Sequence, residues 1–156
     1  MQISSTLEFP ADPERVYAMM TDRGYLEAVC EASQAISYEV SVEGQTTTTR
    51  RTLPAPPAAA RFTGSQLTMV EQVEWRSAAA DGTRGGAMTM TVPGQPVTLK
   101  GELTLAPGGA GTAATLTGDL KVAVPLLGKK LEEAAAPAVL SGFRVQQKVG
   151  SRWLAS

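Results

Sequence analysis

The two ends of the chain are built alike, and together they constrain the fold more than any other feature. Near the start, apolar and polar residues alternate over residues 2–9, which is the pattern of a half-buried strand, and this run stops at Pro10. Near the end, another alternating run stops at Pro125, and apolar residues then recur every three or four positions. We therefore expect a first strand that leads directly into a helix, and a last strand that leads into a long terminal helix.

The segment after the first strand carries the signals of two short helices. Asp12 is a favourable N-cap, Pro13 suits the first helical position and Glu14 suits the first turn, so a helix is predicted to begin here. Residues 22–24 are predicted to end it. Residues 25–33 then place apolar side chains at helical spacing and predict a second short helix.

The middle of the chain has the pattern of a strand meander. Alternating or β-branched runs predict further strands at 36–43, 46–53, 67–76, 83–92, 97–105 and 112–124. Asp81-Gly82 is a strong hairpin signal, and a short helical turn is predicted at 58–62 within a proline- and alanine-rich segment, 54–60. Because most connections are short, the roughly seven strands are expected to form an antiparallel sheet.

The terminal helix is predicted to carry one apolar stripe that faces the sheet. Its members recur at intervals of three or four residues and are Leu127, Leu131, Ala134, Ala138, Gly142, Val145, Val149 and Trp153. Pro137 lies inside this stretch. It is expected to kink or split the helix, because proline lacks a backbone donor and collides with the preceding turn.

Charge and composition argue against several classes of partner. The 14 basic and 15 acidic residues give a net charge of −1, which does not suit nucleic acid or electrostatic docking to an anionic membrane. No apolar run is long enough to span a bilayer, and no signal-peptide pattern is present, so no stable membrane insertion is expected. With Cys30 as the single cysteine, we predict one domain over residues 1–156 in the reducing cytoplasm.

Catalytic and metal-binding residues are not predicted. The chain has no histidine, which removes the commonest general base and metal ligand. Glu71, Glu74 and Asp119 lack the spacing of a metal site, so neither a metal nor a cofactor is expected. Cys30 lies on an apolar helical stripe with no histidine to activate it, and the favoured interpretation is a buried structural thiol.

Several local phrases resemble the START/Bet v 1-like (SRPBCC) superfamily. Residues 9–17 look like its passage from first strand to first helix, and residues 125–132 look like its passage into the terminal helix. Residues 92–97 and 152–154 further resemble a group of uncharacterised bacterial proteins within it, a domain of unknown function. The resemblance implies an α+β helix-grip fold: a curved antiparallel sheet of about seven strands wrapped around a long C-terminal helix, with two short helices after the first strand.

The function that the resemblance implies is non-catalytic binding or carriage of a small hydrophobic ligand, such as a lipid, fatty acid, isoprenoid or polyketide. Access is expected past the second short helix, segment 54–60 and the turn 93–96. Two alternatives stay open. One is an enzyme of the polyketide cyclase or dehydratase type that uses Glu71 with Tyr38 or Arg51, and the other is an adapter or chaperone-activator-like module with a filled core. A monomer or weak dimer is expected.

The residues predicted to line the cavity come from the inward face of the strands and from the helix stripe. They are Tyr38, Val40, Arg51, Met69, Glu71, Val73, Trp75, Met88, Met90, Leu103, Leu131, Ala134, Ala138 and Gly142. Arg51 and Glu71 interrupt this apolar face. If the alternation holds, they point inward as a pair that grips the polar head of a ligand, whereas a bulge would place one of them in solvent.

Overall fold

The computed structural model describes residues 1–57 and 59–156 in full, together with the backbone of Ala58. Over these residues, seven antiparallel strands form one sheet in the order β1-β7-β6-β5-β4-β3-β2. The strands are β1 Gln2–Phe9, β2 Ser37–Glu43, β3 Thr46–Pro54, β4 Gln66–Trp75, β5 Arg84–Thr91, β6 Val97–Gly108 and β7 Gly111–Val122. The helices are α1 Pro13–Met20, α2 Arg23–Ala32, α3 Pro57–Thr63 and α4 Gly128–Ala155.

This architecture confirms the predicted fold class. Each strand from β2 to β6 pairs with the next strand along the chain, and β1 pairs with β7 at one edge of the sheet, with Gln2 opposite Asp119. The sheet is therefore an antiparallel meander with the first strand added at its far edge, and the long α4 packs on one of its faces. The predicted short helical turn is α3, which Gly64 ends at a φ of 82°.

The two short helices each begin at an aspartate. The Asp12 carboxylate accepts a hydrogen bond from the Arg15 backbone N–H at 2.9 Å, as an N-cap should. The prediction that residues 22–24 end the first helix and lie outside the second was wrong in part. The Asp22 carboxylate accepts from the Tyr25 N–H at 3.2 Å and caps α2, which therefore begins at Arg23, two residues earlier than predicted.

The terminal helix α4 runs through Pro137 without being split. Pro137 is exposed, and water can satisfy a carbonyl that loses its helical partner there. Splitting, as one predicted effect of Pro137, is therefore wrong, and a kink at this position stays a prediction.

The packed face of α4 differs from the predicted stripe. The residues that are buried are Ala136, Phe143, Gly150 and Leu154, whereas Leu127, Ala134, Ala138 and Trp153 are exposed. Several stripe residues instead border open space, which is described below. The stripe correctly marked the face toward the sheet over residues 131–145, but most of those side chains are too short to close the gap.

The second half of α4 packs closely against the first elements of the chain. Phe9, Val16 and Tyr25 are almost fully buried in one core cluster with Leu154. A Cβ added to Gly150 would lie 2.5 Å from Phe9 Cε1, so glycine is needed for this close approach. We call this packed region, at residues 143–155 of α4, the closed half of the helix.

Candidate functional site

A cavity of about 220 Å³ separates the first half of α4 from the sheet, and we call it the outer chamber. Its wall is almost wholly apolar and comes from the sheet, from α3 and from α4. The main contributors are Leu53, Phe62, Leu67, Met69, Met90, Val92, Val122, Leu131, Ala134, Ala135, Ala138 and Val139. Such a wall suits apolar ligand surface and offers few hydrogen bonds.

A second cavity of about 200 Å³, the inner chamber, lies deeper along the same helix. The two chambers share five wall residues: Leu53, Met69, Met90, Ala138 and Val139. The two chambers therefore adjoin each other along α4. A small hollow of about 40 Å³ adjoins the inner chamber under α2, and Arg51, Glu71 and Gln146 border both the inner chamber and this hollow.

Arg51 and Glu71 form an ion pair at the inner end of this space. The strands pair in regular register, with Thr49 opposite Glu71 and Arg51 opposite Met69, so the two charged residues are diagonal neighbours on the inward face. Arg51 Nη2 lies 3.5 Å from Glu71 Oε2, and Arg51 is only 7% exposed. The inward orientation predicted from the alternation is confirmed, and the bulge interpretation is wrong.

Two buried donors at this end have no acceptor among the residues that the structure describes. They are Arg51 Nε and Trp75 Nε1. Both residues border the 40 Å³ hollow. The Trp75 ring is fixed by an edge-on contact with Tyr17, with ring centroids 5.6 Å apart. The inner end therefore has hydrogen-bonding capacity that the protein itself does not use.

Tyr25 and Cys30 lie beside the Arg51–Glu71 pair, and burial raises the pKa of both side chains. The Tyr25 hydroxyl donates to the Gln146 carbonyl at 3.0 Å, and burial, reinforced by the negative charge of Glu71, raises the pKa of Tyr25. Burial also raises the pKa of the Cys30 thiol, although Arg51 beside it acts in the opposite direction. Cys30 is fully buried, as predicted, and a raised pKa does not suit a nucleophile.

Eleven of the residues predicted to line a cavity border this space. They are Arg51, Met69, Glu71, Val73, Trp75, Met90, Leu103, Leu131, Ala134, Ala138 and Gly142. The structure places Tyr38, Val40 and Met88 elsewhere. The Tyr38 hydroxyl donates to Glu31 Oε1 at 2.8 Å on the surface. Val40, on the outer pair of strands, and Met88, between Val73 and Gly101 of the neighbouring strands, are enclosed by packed side chains.

The sequence prediction missed wall residues on α3 and on α4. Phe62, on α3, is 48% exposed and lines the outer chamber. The Gln95 side chain, in the turn 93–96, donates from Nε2 to the Phe62 carbonyl at 3.4 Å. This bond links the turn, which is one segment predicted to control access, to α3, which begins within another, 54–60. On α4, Val139 and Gln146 lie one turn from Ala135 and Gly142, so a second stripe at the same spacing would have revealed them.

Two further structural tests bear on the predicted partners. Within the described residues, no group of three or more Cys, Asp and Glu side chains is arranged to hold a metal ion. No helix of the described chain combines the length and the apolar character needed to cross a membrane.

Solved structures share this architecture over nearly the whole chain. A protein from Thermus thermophilus (TTHA0849) is 21% identical, with a TM-score of 0.66 over 97% of this chain and 95% of the other. A STAR-related lipid transfer protein from Xanthomonas axonopodis is 15% identical, with a TM-score of 0.66 over 99% and 86%. The Zhui aromatase/cyclase from Streptomyces sp. R1128 is 16% identical, with a TM-score of 0.62 over 96% and 90%.

These similarities define the class of fold: it is the START/Bet v 1-like helix-grip fold, as the sequence resemblance implied. The particular family follows from the sequence. The chain belongs to the family described as "Protein of unknown function (DUF2505)", whose sequence model matches residues 4–154. No curated protein matches the chain.

Proposed function

We propose that the protein binds a small hydrophobic ligand in the space between the sheet and α4, without transforming it. The single observation that carries this proposal is the pair of adjoining chambers, of about 220 and 200 Å³, with an apolar wall in the outer one. Apolar surface transferred from water to such a wall gains roughly 25 cal/mol per Å² before the costs of association.

The helix that covers the chambers is built to leave room. Ala134 and Ala138 keep accessible surface although both line the outer chamber, and a Cβ added to Gly142 would meet nothing within 4 Å. The flexible side chains of Met69 and Met90 border both chambers and can adapt to different ligand shapes. These features support a binding space rather than an incompletely packed core.

The names of structural neighbours agree with this proposal in a general way. One similar structure is called a lipid transfer protein and another an aromatase/cyclase. The cyclase alternative loses its Tyr38 form because the Tyr38 hydroxyl is engaged with Glu31 at the surface, whereas the form that uses Glu71 with Arg51 stays open. The adapter alternative, which requires a filled core, does not fit the chambers. A reducing compartment such as the cytoplasm suits Cys30, which is a free and buried thiol.

Native mass spectrometry of the freshly purified protein, followed by organic extraction, tests the proposal directly. We expect an added mass that extraction releases as a hydrophobic molecule, and we expect the stripped protein to bind the neutral dye Nile red with increased fluorescence. An apo mass together with no Nile red binding would contradict the proposal.

A cavity-filling variant locates the binding site. Ala138 borders both chambers, so Ala138→Phe should weaken Nile red binding by about tenfold or more while leaving the protein folded, because the ring occupies ligand space. Ala87→Phe is the matched control, since Ala87 is exposed on the other face of the sheet, next to the buried Met88. Equal losses in both variants would place the dye outside the chambers.

A further inference from the structure

The inner end of the cavity carries hydrogen-bond donors that the described part of the protein does not satisfy. Arg51 Nε and Trp75 Nε1 are buried donors without an acceptor in the described part of the chain, and their residues are 7% and 5% exposed. Burying a donor without an acceptor is unfavourable, and native structures show it rarely. The hollow that both residues border, about 40 Å³, has room for one oxygen-bearing group or a water molecule, which needs roughly 10–15 Å³.

The charge at this end is already balanced. The 3.5 Å separation between Arg51 Nη2 and Glu71 Oε2 is short enough for charge compensation but longer than a good hydrogen bond. A further anion beside Arg51 would therefore leave one uncompensated negative charge in a buried setting, close to Glu71. A neutral acceptor carries no such penalty.

We propose that the inner end selects a neutral head group that presents an acceptor oxygen, so that the ligand is a fatty alcohol, ketone or ester rather than an ionised acid or a phosphate. This inference rests on the proposed function. The carbonyl or hydroxyl oxygen accepts from Arg51 Nε and Trp75 Nε1, and a hydroxyl head also donates to the Glu71 carboxylate. The hydrocarbon part lies along the chambers between β4 and α4 toward Leu67 and Leu131.

A head-group series with a constant chain tests the selection. The full-length protein, loaded with Nile red at pH 8, is titrated with 1-dodecanol, 2-dodecanone, dodecane and laurate. We expect dodecanol and dodecanone to displace the dye at concentrations at least about tenfold lower than laurate or dodecane. Laurate binding as tightly as dodecanol would overturn the charge argument, and dodecane binding as tightly would show that water satisfies the donors.

The Glu71 carboxylate is the group that should disfavour an ionised head group. Glu71→Gln leaves the Arg51 charge uncompensated, so laurate should bind at least about tenfold more tightly than it does to the unaltered protein. Glu74→Gln is the matched control, because Glu74 lies three residues further along β4 with an exposed side chain. An unchanged laurate affinity in folded Glu71→Gln would overturn the proposal.

A second variant keeps the proposal testable if Glu71→Gln does not fold. Trp75→Phe removes one donor and keeps an aromatic ring, so dodecanone should lose affinity severalfold relative to dodecane, and an unchanged ratio would overturn the proposal. Failure of the function itself has a separate signature: if Nile red does not bind, the cavity proposal fails before head-group selection is tested.

Discussion

The two halves of α4 cover the same sheet in opposite ways. In the closed half, Phe143, Gly150 and Leu154 are buried, and the helix backbone approaches the Phe9 ring closely. The first half, residues 128–142, which we call the open half, covers the outer chamber with Leu131 and small side chains such as Ala138. The inner chamber lies where the two halves meet, because Gly142 and Phe143 both border it. One helix therefore covers an empty space at its start and packs closely against the fold at its end.

The difference shows that helical spacing alone does not fill a core. Both halves place apolar residues toward the sheet every three or four positions. Gly150 lies against the large Phe9 ring, whereas a Cβ added to Gly142 would meet nothing within 4 Å. Whether a side chain from the facing elements reaches the helix therefore decides if the interface is filled.

Two phenylalanines test this separation with the largest expected effect. Phe9 is fully buried against the closed half of α4, so Phe9→Ala should lower the free energy of unfolding by about 3–5 kcal/mol, because the lost ring leaves a cavity. Phe62 is 48% exposed at the outer chamber, and Phe62→Ala should change stability by no more than about 0.5 kcal/mol. Urea unfolding followed by circular dichroism measures both. Similar losses of stability in the two variants would contradict the distinction between the closed and open halves of α4.

Two glycines of α4, Gly150 and Gly142, give smaller effects, and the two changes have opposite signs. Gly150→Ala should destabilise the protein by about 1–3 kcal/mol, because its Cβ would lie 2.5 Å from Phe9 Cε1 and 3.0 Å from Met19 Cε. Gly142→Ala should stabilise it by about 0.5–1 kcal/mol, since alanine favours the helix and the new Cβ meets nothing within 4 Å. Thermal unfolding of the pair is the measurement, and a gain from Gly150→Ala would contradict the close packing.

The fold was predictable from sequence because its signals are local. Alternation gave β1 at its observed bounds, and the Asp12-Pro13 signal gave the start of α1. Asp22 was assigned to the end of the first helix because it lies two residues past Met20, although its side chain caps α2. An aspartate at such a position fits either role until the backbone is known. The sequence left open whether Pro137 kinks or splits α4, because the effect of proline depends on whether the freed carbonyl can reach water.

The site was only partly predictable, because a cavity is a property of several elements at once. Alternation correctly placed Arg51 and Glu71 on the inward face, and regular pairing of β3 with β4 then brings them together. Tyr38 satisfies the same alternation, opposite Arg51, yet its long side chain reaches α2 instead of the cavity. The unmet donors of Arg51 and Trp75 depend on side-chain surroundings that no spacing rule describes.

The smallest expected effect concerns Tyr25 at alkaline pH. Tyr25 is buried against the closed half of α4 and donates to the Gln146 backbone carbonyl, so Tyr25→Phe should cost about 1 kcal/mol of stability at pH 8. Burial raises the pKa of Tyr25 above its ordinary value of 10.0. Above pH 10 the unfolded chain therefore releases this proton while the folded protein keeps it. Stability that is present below pH 10 is lost as the pH rises, by up to about 1.4 kcal/mol per pH unit.

Tyr25→Phe lacks this proton, so the stability difference between the unaltered protein and the variant should shrink between pH 8 and pH 11. Urea unfolding at both values measures the difference. A difference that stays constant would mean that Tyr25 ionises equally well in the folded protein. Water would then reach its hydroxyl from the 40 Å³ hollow that Tyr25 borders, and the closed half of α4 would be accessible at Gln146.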